Sequence, residues 1–362
     1  MAQTLDAARE AMTGAAFMNA TAELGRKVFM TPQLRMVVAD VHRLHQDVAA
    51  LIDPNEPFAP GNRKKVGALS IIGPSGSSKS FSIEYALETL PSLGLLDGTS
   101  LDPKILSLEC PPLGTSGGLL RELVGKLSGS QMTRPPAPDA ASSMIAQQLK
   151  RRQLTMLSIE ELSRVLNPRI HTNRELAKEA EIVWAQVMSI IDDSVWPTPV
   201  IVSGLPFIAD TLSMVDPRTQ EPVVRAEMLR RGYVSRLAEL SIADDSETLE
   251  AYVAQYCELA SVTHNLRHGD ALGARLVHAS RNAIGTALVL AQRAVALAAL
   301  RRRGALSIVD FAHVYSVWTS CSPDSNVFLS PEWPHIDMSK IAPKDFNEAR
   351  YLTNRERNEE AY

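Results

Sequence analysis

Leu69-Ser-Ile-Ile-Gly-Pro-Ser-Gly-Ser-Ser-Lys-Ser80 decides how the rest of the chain reads. Leu69 to Ile72 is a short apolar run of the kind that forms a buried strand. A Gly/Ser-rich loop follows, and Phe81-Ser-Ile-Glu-Tyr-Ala-Leu-Glu88 then has a helical pattern. Strand, glycine-rich loop and helix are the context that a phosphate-binding loop requires. In such a loop Gly73, Ser75, Gly76, Ser77 and Ser78 turn their backbone N–H groups toward phosphate, at the positive end of the helix dipole, while Pro74, which has no N–H, shapes the loop between them. Lys79 reaches the β- and γ-phosphates, and the Ser80 hydroxyl holds Mg²⁺. ATP and Mg²⁺ are the cofactors this pattern calls for. Ser78 stands where the loop's last glycine is usual, the position at which a bare backbone lets the chain wrap closely round phosphate. The plainer reading of the stretch is a Ser/Gly turn capping a helix.

Outward from this loop, 362 residues are enough for two domains. A hydrophobic content of 45% is that of a globular protein, and a net charge of −4 leaves nucleic-acid binding to a local basic strip. Cys110, Cys257 and Cys321 lie far apart and without paired spacing, which excludes a disulfide framework and a zinc site. The eight histidines show no metal spacing either. No secretory pattern opens the chain, and Gln292 and Arg293 interrupt the most apolar stretch, Ala283 to Leu300. A cytoplasmic protein with no membrane partner is expected.

Upstream, residues 1–30 are Ala-rich without firm periodicity and read as an arm. Thr31-Pro32 signals a helix start, and Leu34, Val37, Val38, Val41, Leu44, Val48 and Leu51 recur at helical spacing. Asp53 to Gly61 is a linker by composition, and Arg63-Lys64-Lys65 leads into the first strand. Downstream, Ile105–Cys110, Leu154–Ile159 and Pro199–Ser203 read as further buried strands. Helices are expected over Leu119–Leu127, Met144–Arg152 and Arg174–Asp192, with a flexible segment from Ser128 to Ser143. Strands alternating with helices give an α/β domain with a mostly parallel sheet flanked by helices on both faces. Ligands then sit beyond the carboxyl ends of the strands. From about Asp244 strand signals stop, and 245–263, 268–282, 283–303 and 307–319 read as helices of a small second domain. The expected divisions are a helical arm and linker over 1–60, the α/β domain over 61–243, a helical domain over 244–330 and a tail over 331–362.

The strand ends fall in the order found in AAA+ ATPases, which this chain resembles. Gly73–Ser80 matches the Walker A position, and Met156-Leu-Ser-Ile-Glu-Glu161 matches Walker B. Val200–Pro206 resembles the sensor 1 strand, with Ser203 at its polar position, and the helices after 244 resemble the lid. The finer resemblance is to the TniB/TnsC family of transposition regulators. It is carried by Glu160-Glu-Leu-Ser-Arg-Val-Leu166, a long helix, Pro199-Val-Ile-Val-Ser-Gly-Leu-Pro206 and Ser280-Arg-Asn-Ala-Ile-Gly285.

This resemblance implies that Glu160 orients the Mg²⁺ shell and that Glu161 polarises the attacking water. Ser203 and the lid arginine Arg281 would sense the γ-phosphate, and Arg236 or Arg231 would be the finger supplied to a neighbouring subunit. It also implies a ring or helical filament on double-stranded DNA, contacted through Thr115, Arg121 and Lys126 on surface loops, or through Lys150 and Arg151. A transposase and a target-selection protein would be the partners. Glu160 replaces the usual Walker B aspartate, and Leu162-Ser163 stands where a hydrophobic residue and histidine are usual, so hydrolysis is expected to be slow. A non-hydrolysing nucleotide-binding adaptor and a P-loop small-molecule kinase are the alternative readings.

Overall fold

The computed structural model describes residues 12–341 apart from 13, 51–64, 95–97, 99, 113, 216, 218, 225, 265, 267, 302 and 303. The expected linker Asp53–Gly61, the Arg63-Lys64 pair and the tail from 342 onward lie outside the described residues. In chain order the principal helices of the first half are α1 (Ala15–Gly25), α2 (Pro32–Gln46), α3 (Lys79–Glu88), α4 (Ser116–Ser128), α5 (Pro138–Arg152) and α6 (Asn173–Ile191). Then come α7 (Ile242–Leu259), α8 (Leu272–Ala279), α9 (Ile284–Leu300) and α10 (Ile308–Thr319). The main strands are β1 (Ala68–Ile72), β2 (Ile105–Glu109), β3 (Met156–Glu160), β4 (Val200–Gly204) and β5 (Gly232–Arg236).

Two compact units emerge. Among the described residues, those of Thr31–Pro74 and Lys79–Leu237 form a sheet unit, and those up to Met30, Ser75–Ser78 and those from Ala238 to 341 form a helical unit. In the sheet unit the five strands run parallel in the order β2-β3-β4-β1-β5. Strand side chains alternate between faces. Leu69, Ile71, Met156 and Ile201 therefore pack with Val37, Val41, Leu44 and Ile83 of α2 and α3. Ala68, Ile72, Leu157, Ile159, Val200 and Val202 pack on the opposite face with the apolar stripes of α4, α5 and α6. Fully burying a side chain such as Val37 or Val41 contributes about 1.5–3 kcal/mol.

Helix starts follow the sequence signals. The Thr31 hydroxyl accepts the Leu34 N–H at 3.1 Å ahead of Pro32. Thr172 and Glu175 form a reciprocal capping box at α6. Two elements differ from expectation. Helix α5 begins at Pro138, so the last six residues of the segment expected to be flexible, 138–143, are already helical, with Ala141 buried. Strand β5 was not anticipated; it occupies the edge beside β1, and Tyr233 and Val234 are exposed on it.

In the helical unit Val253, Leu276, Ala294, Val295 and Tyr315 are at the centre of one core. Phe17 and Leu24 of α1, with Phe29, belong to that core, so this part of the expected arm is packed. Phe29 stacks on Tyr252 at 4.5 Å between ring centroids. The segment after α10 lies along α8. Arg275 donates to the carbonyls of Val327 and Ser330, His278 donates to that of Ile336 at 3.1 Å, and Arg281 donates to those of Met338 and Ile341. The Arg275 guanidinium also lies 5.3 Å from the Trp333 ring centre. Among the described residues no helix is long and apolar enough to cross a membrane.

Candidate active site

The loop after β1 is fixed at its base by the Gly73 N–H, which donates to the Gly204 carbonyl of β4 at 3.2 Å. Lys79 opens α3 and is buried, with its ammonium donating to the carbonyls of Gly73 at 2.9 Å and Pro74 at 2.8 Å. Burial lowers its pKa from the usual lysine range, and the charge of Glu161 opposes that shift. A buried ammonium that rests on two backbone carbonyls and faces a carboxylate is placed to exchange those carbonyls for phosphate oxygens.

The departure at Ser78 has a structural account. Ser78 adopts φ +63, and Gly76 adopts φ +77. Ser78 thus takes the left-handed conformation that glycine would supply, at a cost on the order of 1 kcal/mol. The helical unit, to which the loop tip belongs, makes room for it. The Gly285 N–H donates to the Gly76 carbonyl at 2.9 Å, and there is no side chain on Gly285 to meet the Ser78 hydroxyl. A recess of ≈ 320 Å³ beside the tip is lined by Thr286, Val289, Arg293 and Trp318.

Glu160 ends β3 and shares a hydrogen bond with the Ser80 side chain. Burial raises its carboxyl above the usual range. The Ser80 hydrogen bond opposes that shift, and the charges of Glu109, Glu161 and Glu84 reinforce it. Glu161 follows at φ +56 and opens a short 3₁₀ turn, Leu162–Arg164. Ser163 is buried, and Gly204 leaves the space it fills: a Cβ there would stand 3.2 Å from the Ser163 hydroxyl oxygen. Ser203 is buried in β4, in register with Ile71. An open groove of ≈ 420 Å³ runs past Ser80 and Glu160 and is walled by Glu84, Glu88 and Ser107. Sequence reading did not single out Glu84, Glu109 or Arg164. The i, i+4 step from Ser80 to Glu84 was the only available signal for any of them.

The donor set fits a magnesium nucleotide. Among the described residues no group of three or more His, Cys, Asp or Glu is arranged to hold a metal by itself. A hydroxyl and one carboxylate fit an ion that keeps several waters and takes its other ligands from phosphates. The remaining candidates are dispersed. Arg236 is exposed at the end of β5, in register with Ile72, and Arg231 pairs with Asp192, which also holds Lys65 at 3.1 Å. Arg281 spends its guanidinium on the Met338 and Ile341 carbonyls. Thr115 is the N-cap of α4, accepting from the Gly118 N–H, so Thr115, Arg121 and Lys126 mark a helix and not a loop. Arg121 pairs with Glu122 at 2.9 Å, and Lys126 donates to the Ser107 carbonyl at 2.6 Å. Lys150 and Arg151 are exposed in the last turn of α5.

Residues 63–212 match the family model described as AAA domain. The structure is similar to that of the Aeropyrum pernix ORC1 protein in complex with DNA, at TM-score 0.54 and 12% identity, over 84% of this chain and 70% of that one. The fold is that of an AAA+ P-loop protein. Within the AAA+ frame, the parallel sheet carries the phosphate loop and the helical unit supplies the C-terminal region. The Drosophila ORC bound to DNA also matches, at TM-score 0.47 and 13% identity, over 86% of this chain and 68% of that one. Comparison with curated proteins finds no match.

Proposed function

We propose that this chain is a DNA-associated AAA+ ATPase of the TniB/TnsC kind, which assembles on double-stranded DNA with ATP bound and links a target-selection protein to a transposase. One observation carries the nucleotide part: Lys79 and Ser80, just beyond the carboxyl end of β1, come together with Glu160 and Glu161 at the carboxyl end of β3, the two strands that flank β4 in the parallel sheet. The DNA part is supported by the likeness to the ORC1 protein, whose structure is a complex with DNA. The transposition part is supported by the resemblance of Glu160–Leu166, Pro199–Pro206 and Ser280–Gly285.

In this reading Lys79 releases the Gly73 and Pro74 carbonyls and neutralises the β- and γ-phosphates. Ser80, with Glu160 beside it, would hold Mg²⁺, which when bound would supply positive charge to the phosphate oxygens. Glu161, in the same strand-end turn, orients and polarises the attacking water. Arg236 is the better placed of the two finger candidates, because Arg231 is already paired with Asp192.

The test has two readouts. Lys79→Ala should abolish binding of a fluorescent ATP analogue, and unchanged affinity would overturn the nucleotide site. With ATP or a slowly hydrolysed analogue, the protein should multimerise on duplex DNA of arbitrary sequence, with affinity falling steeply as salt rises. Persistent monomers under those conditions would favour a small-molecule kinase.

A further inference from the structure

We propose that Arg164 is a positioning residue that withholds Glu109 from the cation site, leaving Glu160 as the carboxylate that serves Ser80. The inference rests on the nucleotide reading above.

Glu109 and Glu160 are register partners at the ends of β2 and β3. Register partners point to the same face with Cβ atoms about 5 Å apart, and like charges there repel. That spacing also lets two carboxylates share a divalent ion without any nucleotide. Arg164 prevents this in two ways. Its guanidinium pairs with the Glu109 carboxylate at 2.6 Å. It also donates to the Cys110 carbonyl at 2.8 Å, while the Cys110 N–H donates to the Glu160 carbonyl at 2.9 Å. One side chain thus ties down the competing carboxylate and the backbone on which Glu160 sits. Arg164 leaves the chain three residues after Glu161, so the clamp and the acidic pair share one tight turn.

The experiment measures Mn²⁺ binding to the full chain by electron paramagnetic resonance without nucleotide. Arg164→Met should bind Mn²⁺ at least about tenfold tighter than wild type, because Glu109 and Glu160 then act together. Arg164→Lys retains a cation for Glu109 and should stay near wild type. Adding Glu109→Gln to Arg164→Met should abolish the gain. Arg164→Gln keeps a donor for the Cys110 carbonyl while losing the charge, and serves if the methionine variant fails to fold. Equal Mn²⁺ affinity in wild type and a folded charge-loss variant would overturn the proposal, as would a gain that survives Glu109→Gln. Neither result depends on ATP binding by Lys79→Ala, so failure of the nucleotide reading is scored separately.

Discussion

Gly285 faces Ser78 so closely that a Cβ on the glycine would stand 2.2 Å from the serine hydroxyl oxygen and 2.7 Å from the Gly76 carbonyl oxygen. The flexible hydroxyl can turn away, but the carbonyl is backbone and accepts the Gly285 N–H. Gly285→Ala should therefore push the loop tip away, and nucleotide affinity measured by fluorescence titration should fall at least about tenfold. Adding Ser78→Gly should not restore it, since the carbonyl contact remains. Full restoration would show that the hydroxyl alone set the constraint.

Glu161→Gln preserves shape and removes the carboxylate charge. ATP binding and DNA assembly should persist while turnover falls roughly 10²-fold, the usual scale of a general base. Release from DNA should slow in step. A wild type with ready turnover that this substitution leaves untouched would remove Glu161 from the chemistry.

Glu160→Asp shortens the side chain beside Ser80 by one methylene and restores the usual pairing of aspartate with glutamate. Combined with Ser78→Gly, it should raise phosphate release severalfold over wild type in a steady-state assay. If the rate drops instead, the longer carboxylate is matched to this site.

His45 provides a pH test of the sheet unit. It is 1% exposed on α2, and its Nε2 has no hydrogen-bond partner among the described residues. Burial lowers its pKa to about 4 from 6.5, with the nearby His42 adding to the shift. The folded chain thus holds fewer protons than the unfolded chain between those values. The stability contributed by the neutral ring is fully present above pH 6.5 and is lost as pH falls toward 4. Full loss would be on the order of 3 kcal/mol. Asp47, whose carboxyl burial raises, and Arg43 lie close by and will shape the slope. Thermal melts from about pH 7 to about pH 4.5 should show a shallower decline for His45→Leu than for wild type.

The elements that read clearly from sequence were those whose residues answer to one strong constraint. Leu69–Ile72, Met156–Ile159 and Val200–Ser203 are buried on both faces, so each appears as an apolar run with a single small serine in it. Gly232–Arg236 lies at a sheet edge with only Ser235 buried, and its strand-favouring Tyr233-Val234 pair, set between glycine and polar residues, is too short to show an apolar run. Pro138 was a legible helix start hidden in a Ser/Pro/Ala segment. Phe17, Leu24 and Phe29 went unread as core because an Ala-rich helix shows little periodicity. At the site, Lys79, Ser80, Glu160 and Glu161 were legible because they are local to two loops. Arg164 was not, since its partner Glu109 lies fifty-five positions earlier.

The segment from Val327 to Ile341 is held by Arg275, His278 and Arg281 through main-chain carbonyls. Every amino acid carries such a carbonyl, so most letters of this stretch are free to drift so long as the three grips on and beside α8 remain. Homologues should therefore keep those three donor positions while the sequence they hold diverges, apart from anchors such as Phe328 that reach the core. In an alignment, this closing stretch would look like an unrelated tail even where the chain follows the same path.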